Sequence, residues 1–262
     1  MDILRRSASV ITPEAWEELD SQAKKILSAN LSARKFVDVE GPRGWTYSAH
    51  PTGRLDVPGK QPRDGVQFGV NKVLPLVESR VAFDLDIWEL DNISRGAKNP
   101  ELSPLEKAAK DIALFEEKAV YNGLAAAGIE GLAGSAGNTV KLTGFESDTI
   151  LDCVSGAVFQ LHKNSVEGPY ALVASPKMWK ALYGTSQCYP LSKHVGSLVE
   201  KVILSTQDDS YLVTLRGGDL ELVVGQDFSL GFEERDGQKV RLFFAESFTF
   251  RVINPETIVK LS

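Results

Sequence analysis

Residues 46–73 hold Gly53, Gly59, Gly65 and Gly69 together with Pro51, Pro58 and Pro62, seven glycines and prolines in 28 residues. The whole chain carries 22 glycines and 12 prolines in 262 residues, about half that density. Proline removes a backbone donor and fixes φ, so neither a long helix nor a central strand can run through such a stretch. Irregular loops beyond roughly 12–15 residues are uncommon inside compact domains, and those that exist serve a function or are disordered. Leu55, Val57, Val66, Phe68 and Val70 keep the segment too apolar for a plain linker. These observations together predict an extended arm whose partners lie on another subunit, with a flexible surface loop as the plainer alternative.

The elements around the arm follow from periodicity. Thr12 and Pro13 open a helix whose apolar stripe is Trp16, Leu19, Ala23, Ile26 and Leu27, with Glu14, Glu17 and Glu18 near its positive end. Residues 79–90 alternate as a strand, with Val81, Phe83, Leu85 and Ile87 on one face. Ser103-Pro104-Leu105-Glu106 reads as a capping box, and the stripe behind it runs to a cap at Gly128. That predicts a spine helix of about 24 residues, about 36 Å long. Beyond it the signals alternate between helix (147–161, 176–179, 189–199) and strand (170–174, 201–206, 210–215), which suggests a separate α/β module. From Leu220 the chain turns β-rich, with a long strand or hairpin over 240–253 and a last strand at 257–261.

The chemical inventory is close to empty. No phosphate loop or dinucleotide fingerprint occurs, and residues 133–137 (AGSAG) lack the first glycine of a nucleophile elbow. His50, His162 and His194 are scattered, and Cys153 and Cys188 match neither a zinc nor a redox spacing. Asp84 and Asp86 share a strand face and read as solvated carboxylates rather than an acid–base pair. A net charge of −6 argues against a dedicated nucleic-acid binder. Arg5 and Arg6 have no apolar core behind them, and no apolar run reaches the roughly 20 residues that span a bilayer. A cytoplasmic chain with reduced cysteines, no membrane partner and no metal is therefore expected. A chain with an arm and no catalytic constellation has the character of a structural subunit, not an enzyme.

Several strings then stand in order: RKFVDVEGP at 34–42 with Gly44 and Trp45, LDIWELDN at 85–92, VEGPY at 166–170, and YPL at 189–191. RGGD at 216–219, GQD at 225–227 and ESFTF at 246–250 complete the set. Jointly they resemble the linocin-like encapsulins, and the resemblance covers essentially the whole chain. It implies an α+β fold of the tailed-phage capsid type. A peripheral domain would comprise residues 1–45, 74–132 and 223–262, an extended loop 46–73, and an axial domain 133–222. It also implies a self-assembling shell subunit, with the short chain favouring about 60 copies in icosahedral symmetry. The guest would be a dye-decolourising peroxidase or a ferritin-like iron-oxidising enzyme, held by a C-terminal targeting peptide. The alternative is a phage or prophage capsid protein packaging DNA, against which the negative charge weighs.

The resemblance also assigns residues. The peptide groove would take Leu27, Leu31, Arg34, Phe36, Asp38 and Val39, with Asp227, Phe228 and Leu230 opposite. Arg34 and Asp38 would give the peptide hydrogen bonds and charge. The loop Tyr183, Gly184, Thr185, Ser186, Gln187, Cys188 and Tyr189 would line a five-fold pore that meters small substrates, with little charge selectivity. Trp88 occupies the position where some members set an aromatic against a flavin; a buried or interface indole is the favoured reading here, and no cofactor is required.

Overall fold

The computed structural model describes residues 3–62, 64–184 and 190–262. Helix α1 (Pro13–Asn30) opens as the sequence predicts, with the Ala15 N–H donating to Thr12 Oγ1 at 3.2 Å and Ala15, Trp16, Leu19 and Ala23 buried. A single 3-10 turn (Ala33–Lys35) follows it, then strand β1 (Asp38–Glu40). Strands β2 (Ala49–Asp56) and β3 (Val70–Pro75) form a two-stranded antiparallel ribbon, with Ala49 opposite Pro75 and Asp56 opposite Val70. The arm is held by this backbone pairing together with side-chain bonds from Thr52 Oγ1 to the Lys72 carbonyl and between Gln61 and the Phe68 backbone. Leu55, Val57, Val66, Phe68, Val70 and Val73 on it are each 50–85% exposed.

Strand β4 (Val77–Asp86) stops four residues before the alternation predicts. Asp86 turns its carboxylate back to accept the Trp88 N–H at 2.8 Å, and this cap starts helix α2 (Ile87–Ser94) instead. The spine is helix α3 (Ser103–Asn122), 20 residues long. Two details differ from the capping pattern. Ser103 lies inside the helix and caps nothing with its hydroxyl; its N–H donates to Glu101 Oε1 at 3.1 Å. The helix ends at Gly123 and not at Gly128, because the chain doubles back to pair Leu124 N–H with the Ile129 carbonyl at 2.7 Å. Gly123 has φ +86°, and a Cβ there would sit 2.6 Å from the carbonyl oxygens of Ile129 and Glu130, so only glycine permits the reversal.

The chain then forms α4 (Gly131–Ser135), β5 (Asn138–Val140), α5 (Ser147–Lys163), β6 (Tyr170–Ala174), α6 (Pro176–Tyr183) and α7 (Leu191–Val195). The 189–199 helix signal shrinks to the five residues of α7. Strands β7 (Lys201–Leu204), β8 (Ser210–Thr214), β9 (Leu220–Val224), β10 (Ser229–Asp236), β11 (Lys239–Val252) and β12 (Ile258–Leu261) complete the fold.

Two five-stranded sheets result among the described residues. One runs β1-β9-β11-β10, with β4 also on β11; the other runs β5-β12-β8-β6-β7. Strand β11 is long enough to pair with β10 and β4 along its first part and with β9 at its end, so it ties the first sheet together. Helices α1 and α3 bury Trp16, Leu19, Leu105 and Ile112 against Leu85 and Phe244 of that sheet. Helices α5, α6 and α7 pack on the second sheet through Ile150, Val154, Leu161, Met178 and Leu191. The seam between the sheets is itself a core, where Tyr121, Phe248 and Phe250 meet Tyr211 and Val213. Strand β12 hydrogen-bonds to β8 and β5, so residues 258–261 lie in the second sheet, whereas β10 and β11 lie in the first.

Candidate functional site

The turn after α1 decides the site. Its residue Arg34 points into the molecule and spends its guanidinium there. Nε donates to both carboxylate oxygens of Glu116 at 3.0 Å; Nη2 reaches Glu116 Oε2 at 2.6 Å and Glu246 Oε1 at 2.7 Å. Nη1 holds Asp227 Oδ1 at 2.9 Å, and the guanidinium carbon lies 4.8 Å from the centroid of the Phe228 ring. Glu116 and Glu246 are wholly buried. One cation cannot neutralise two carboxylates out of water, so burial and the charge of Glu116 push the Glu246 carboxyl well above the ordinary range. Burial opposes the Arg34 charge, yet the hydrogen bond and charge of Glu116, with Glu246 and Asp227, hold it charged more firmly than a free arginine.

Glu117 fixes the other side of the same turn. It accepts the Ala33 N–H at 2.8 Å and the Ser32 hydroxyl, which also meets Tyr121 Oη at 2.8 Å. Burial raises the Glu117 carboxyl to about 7 against those bonds. Consecutive carboxylates on α3 thus clamp the segment that leaves α1.

Beside this clamp, between α1 and β10, lies a pocket of about 320 Å³. Ala23, Leu27, Leu31, Leu230, Phe228 and Phe244 make its apolar lining, and Asp20, Lys24, Ser28, Arg34 and Asp227 its polar rim. Six of the expected groove residues meet here: Leu27, Leu31, Arg34, Asp227, Phe228 and Leu230. The other three do not. Phe36 packs edge-on to Tyr121 at 6.0 Å in the seam core. Asp38 accepts the Gly218 N–H at 2.6 Å, which ties β1 to the turn before β9. Val39 is exposed on edge strand β1, outside this lining. The reason is geometric: β1 pairs in parallel with β9, so the chain has left the pocket by residue 38.

Arg34 therefore lines the pocket as a braced wall, with most of its donors already engaged. Reasoning from sequence missed Glu116, Glu117 and Glu246. The signal was present, since residues 116 and 117 fall on the apolar stripe of α3 between Ala113 and Val120, where carboxylates need a buried partner.

Trp88 is 56% exposed on α2 with the Arg95 guanidinium 5.7 Å over its ring, so it is not buried. Of the expected pore loop, Tyr183 is exposed with its ring tilted 34° against Trp179, centroids 4.3 Å apart, and Gly184 follows it. Thr185, Ser186, Gln187, Cys188 and Tyr189 lie outside the described residues. Among the described residues no group of three His, Cys, Asp or Glu side chains could hold a metal ion, and no helix is long and apolar enough to cross a membrane.

Residues 1–249 match the Linocin_M18 family, described as encapsulating protein for peroxidase. It belongs to the encapsulin shell family. A type 1 encapsulin shell protein of Rhodospirillum rubrum is 37% identical over 271 residues, covering all of this chain and 96% of the relative. Another, from Mycobacterium tuberculosis, is 33% identical over 265 residues with both chains covered in full. Among solved structures, the virus-like particle of Pyrococcus furiosus superposes with a TM-score of 0.69 at 20% identity, covering 94% of this chain and 98% of that one. The capsid of Myoviridae phage XM1 gives 0.54 at 12% identity over 88% and 91%. The encapsulin shell thus shares the capsid fold, an α+β chain, and its members are structural subunits that build a capsid-like particle. A non-enzymatic role accounts for a site built of packing and ion pairs.

Proposed function

We propose that this shell subunit encloses a guest enzyme whose terminal peptide docks in the pocket between α1 and β10. The pocket is the observation that carries this reading. It offers six apolar lining residues beside the polar groups of Asp20, Lys24, Ser28, Arg34 and Asp227, a mixture suited to peptide recognition. Peroxidases head the candidate guests because the family description names one; an iron-oxidising ferritin-like enzyme is the other class. About 60 copies would close the particle, in the cytoplasm, with the loop around residue 183 lining a pore.

Mass spectrometry of whatever protein co-purifies with the particles identifies the guest, and recovery of empty shells only would overturn the reading. Leu27→Asp should empty the particles of guest while they still close, because Leu27 is only partly buried and lines the pocket. Normal loading in that variant would move the docking site elsewhere.

The arm supports assembly. Its six large apolar side chains are left half or more exposed by the subunit, and such an exposed apolar strip marks an interface. Deleting residues 52–66 should leave a folded subunit that elutes as a small species on size exclusion. Particles of unchanged diameter in the electron microscope would refute the arm's role.

A further inference from the structure

Two arginines brace the pocket, one at each end of α1. Arg34, just after the helix, reaches Asp227 at the start of the opposite wall and lies over Phe228. Arg6, in the 3-10 turn before the helix (Arg6–Ala8), repeats the arrangement at the other end. Its Nη1 and Nη2 form a fork on Asp20 of α1 at 2.7 and 2.5 Å, and its Nε donates to the Leu230 carbonyl of β10 at 2.8 Å. The guanidinium lies 4.3 Å over the Trp16 ring, whose indole N–H in turn donates to Ser9 Oγ at 3.1 Å. Asp20 and Leu230 both line the pocket. The segment is held against β10 by its backbone as well, since the Phe232 N–H donates to the Leu4 carbonyl at 2.8 Å.

We infer that Arg6 is a positioning residue of the peptide pocket, setting the distance between the α1 and β10 walls so that the pocket is open to the right width before a peptide arrives. This rests on the docking reading above. The planar fork explains why arginine stands here: it can bond a carboxylate with two nitrogens, a carbonyl with the third, and still stack on an indole. The two braces differ in what else depends on them. Two of the three carboxylates Arg34 holds, Glu116 and Glu246, are wholly buried, so the fold needs that brace. The Arg6 and Asp20 side chains are 33% and 47% exposed, so water can replace this one without unfolding the chain. Removing Arg6 should therefore widen one end of the pocket and leave the particle intact. Preorganisation lost in this way appears mainly in the dissociation rate.

The test uses assembled particles freed of guest and a fluorescein-labelled synthetic peptide copying the C-terminus of the co-purifying protein, with dissociation followed by anisotropy. Arg6→Ala should speed dissociation about tenfold, with melting temperature and particle diameter unchanged. Arg6→Lys, which keeps one hydrogen bond and the charge, should recover part of the difference. If Leu27→Asp abolishes binding while Arg6→Ala behaves as the parent, the inference is wrong and the pocket reading stands. If Arg6→Ala and Arg6→Lys both lose particles or melt early, Arg6 is a fold residue and the inference is likewise wrong. A parent particle that binds no peptide, or a Leu27→Asp particle that binds normally, removes the pocket reading and this inference with it.

Discussion

Arg34→Ala should cost the shell its subunit and not merely its guest. The resemblance alone implies a cargo contact, and on that view the alanine variant assembles normally and loads poorly. The structure changes the expectation, because truncation leaves Glu116 and Glu246 wholly buried with no cation between them. Removing one partner of a buried ionic cluster typically destabilises by about 3–5 kcal/mol. For a chain of 262 residues that is a fall in melting temperature of about 10 °C, with soluble yield and particle number falling too. Two companion variants separate this cause from loss of packing. Arg34→Lys keeps a charge but cannot hold three carboxylates at once, and should fall between the parent and the alanine variant. Adding Glu116→Gln and Glu246→Gln to Arg34→Ala removes the stranded charge and should restore much of the loss. Arg34→Ala particles that form and melt like the parent would show that the cluster tolerates losing its cation, and would return Arg34 to a plain guest contact.

How far the chain could be read without coordinates depends on whether an element is set by its own residues or by its neighbours. Helix α1 was legible because Thr12, Pro13 and a stripe from Trp16 to Leu27 act within one element. The end of α3 was not, because Gly128 is as good a local cap as Gly123, and only the pairing of Leu124 with Ile129 selects between them. The strand at 79–90 was overrun for a related reason: alternation continues through Ile87, while the Asp86 cap that breaks it works through a side chain. In the candidate site, Leu27, Leu31, Phe228 and Leu230 were reachable through resemblance, since they are apolar positions on elements whose faces are plain. Phe36, Asp38 and Val39 sit only a few residues further on, yet β1 carries them to β9 and away from the pocket. No spacing rule reports a parallel pairing of Asp38 with Glu221, or a Gly218 N–H bond to the Asp38 carboxylate across 180 residues. Glu116 and Glu117 were readable in principle as carboxylates on an apolar stripe, but their partners come from a turn and a strand distant in sequence. Arg6 precedes the first regular helix in a segment with no periodicity, so its role emerges only once β10 lies beside it.

The same buried carboxylates make stability fall as pH rises through the neutral range. Burial raises Glu117 from 4.5 to about 7, so between those values the folded chain holds a proton that the unfolded chain has released. Stability then decreases with pH, because the state that binds more protons is favoured where protons are plentiful. The sign is opposite to that of a carboxylate stabilised by an ion pair, whose contribution is lost on acidification. The contribution from Glu117 is complete below pH 4.5 and gone above about 7, a change of about 3 kcal/mol at 1.36 kcal/mol per unit. Glu246 adds a loss of the same sign, since it too is held in the neutral form by burial beside Glu116. Glu117→Gln keeps an acceptor for the Ala33 N–H and has no proton to lose, so its melting temperature should decline less than the parent's over this interval, the remaining fall coming from Glu246. The two should differ little at the acid end and most above neutrality, where the glutamine particle becomes the more stable one. Thermal melts of both particles across this range provide the comparison. Parallel curves would mean that Glu117 ionises without cost, and that the turn holding Ser32 and Ala33 on the spine helix is open enough for water to reach it.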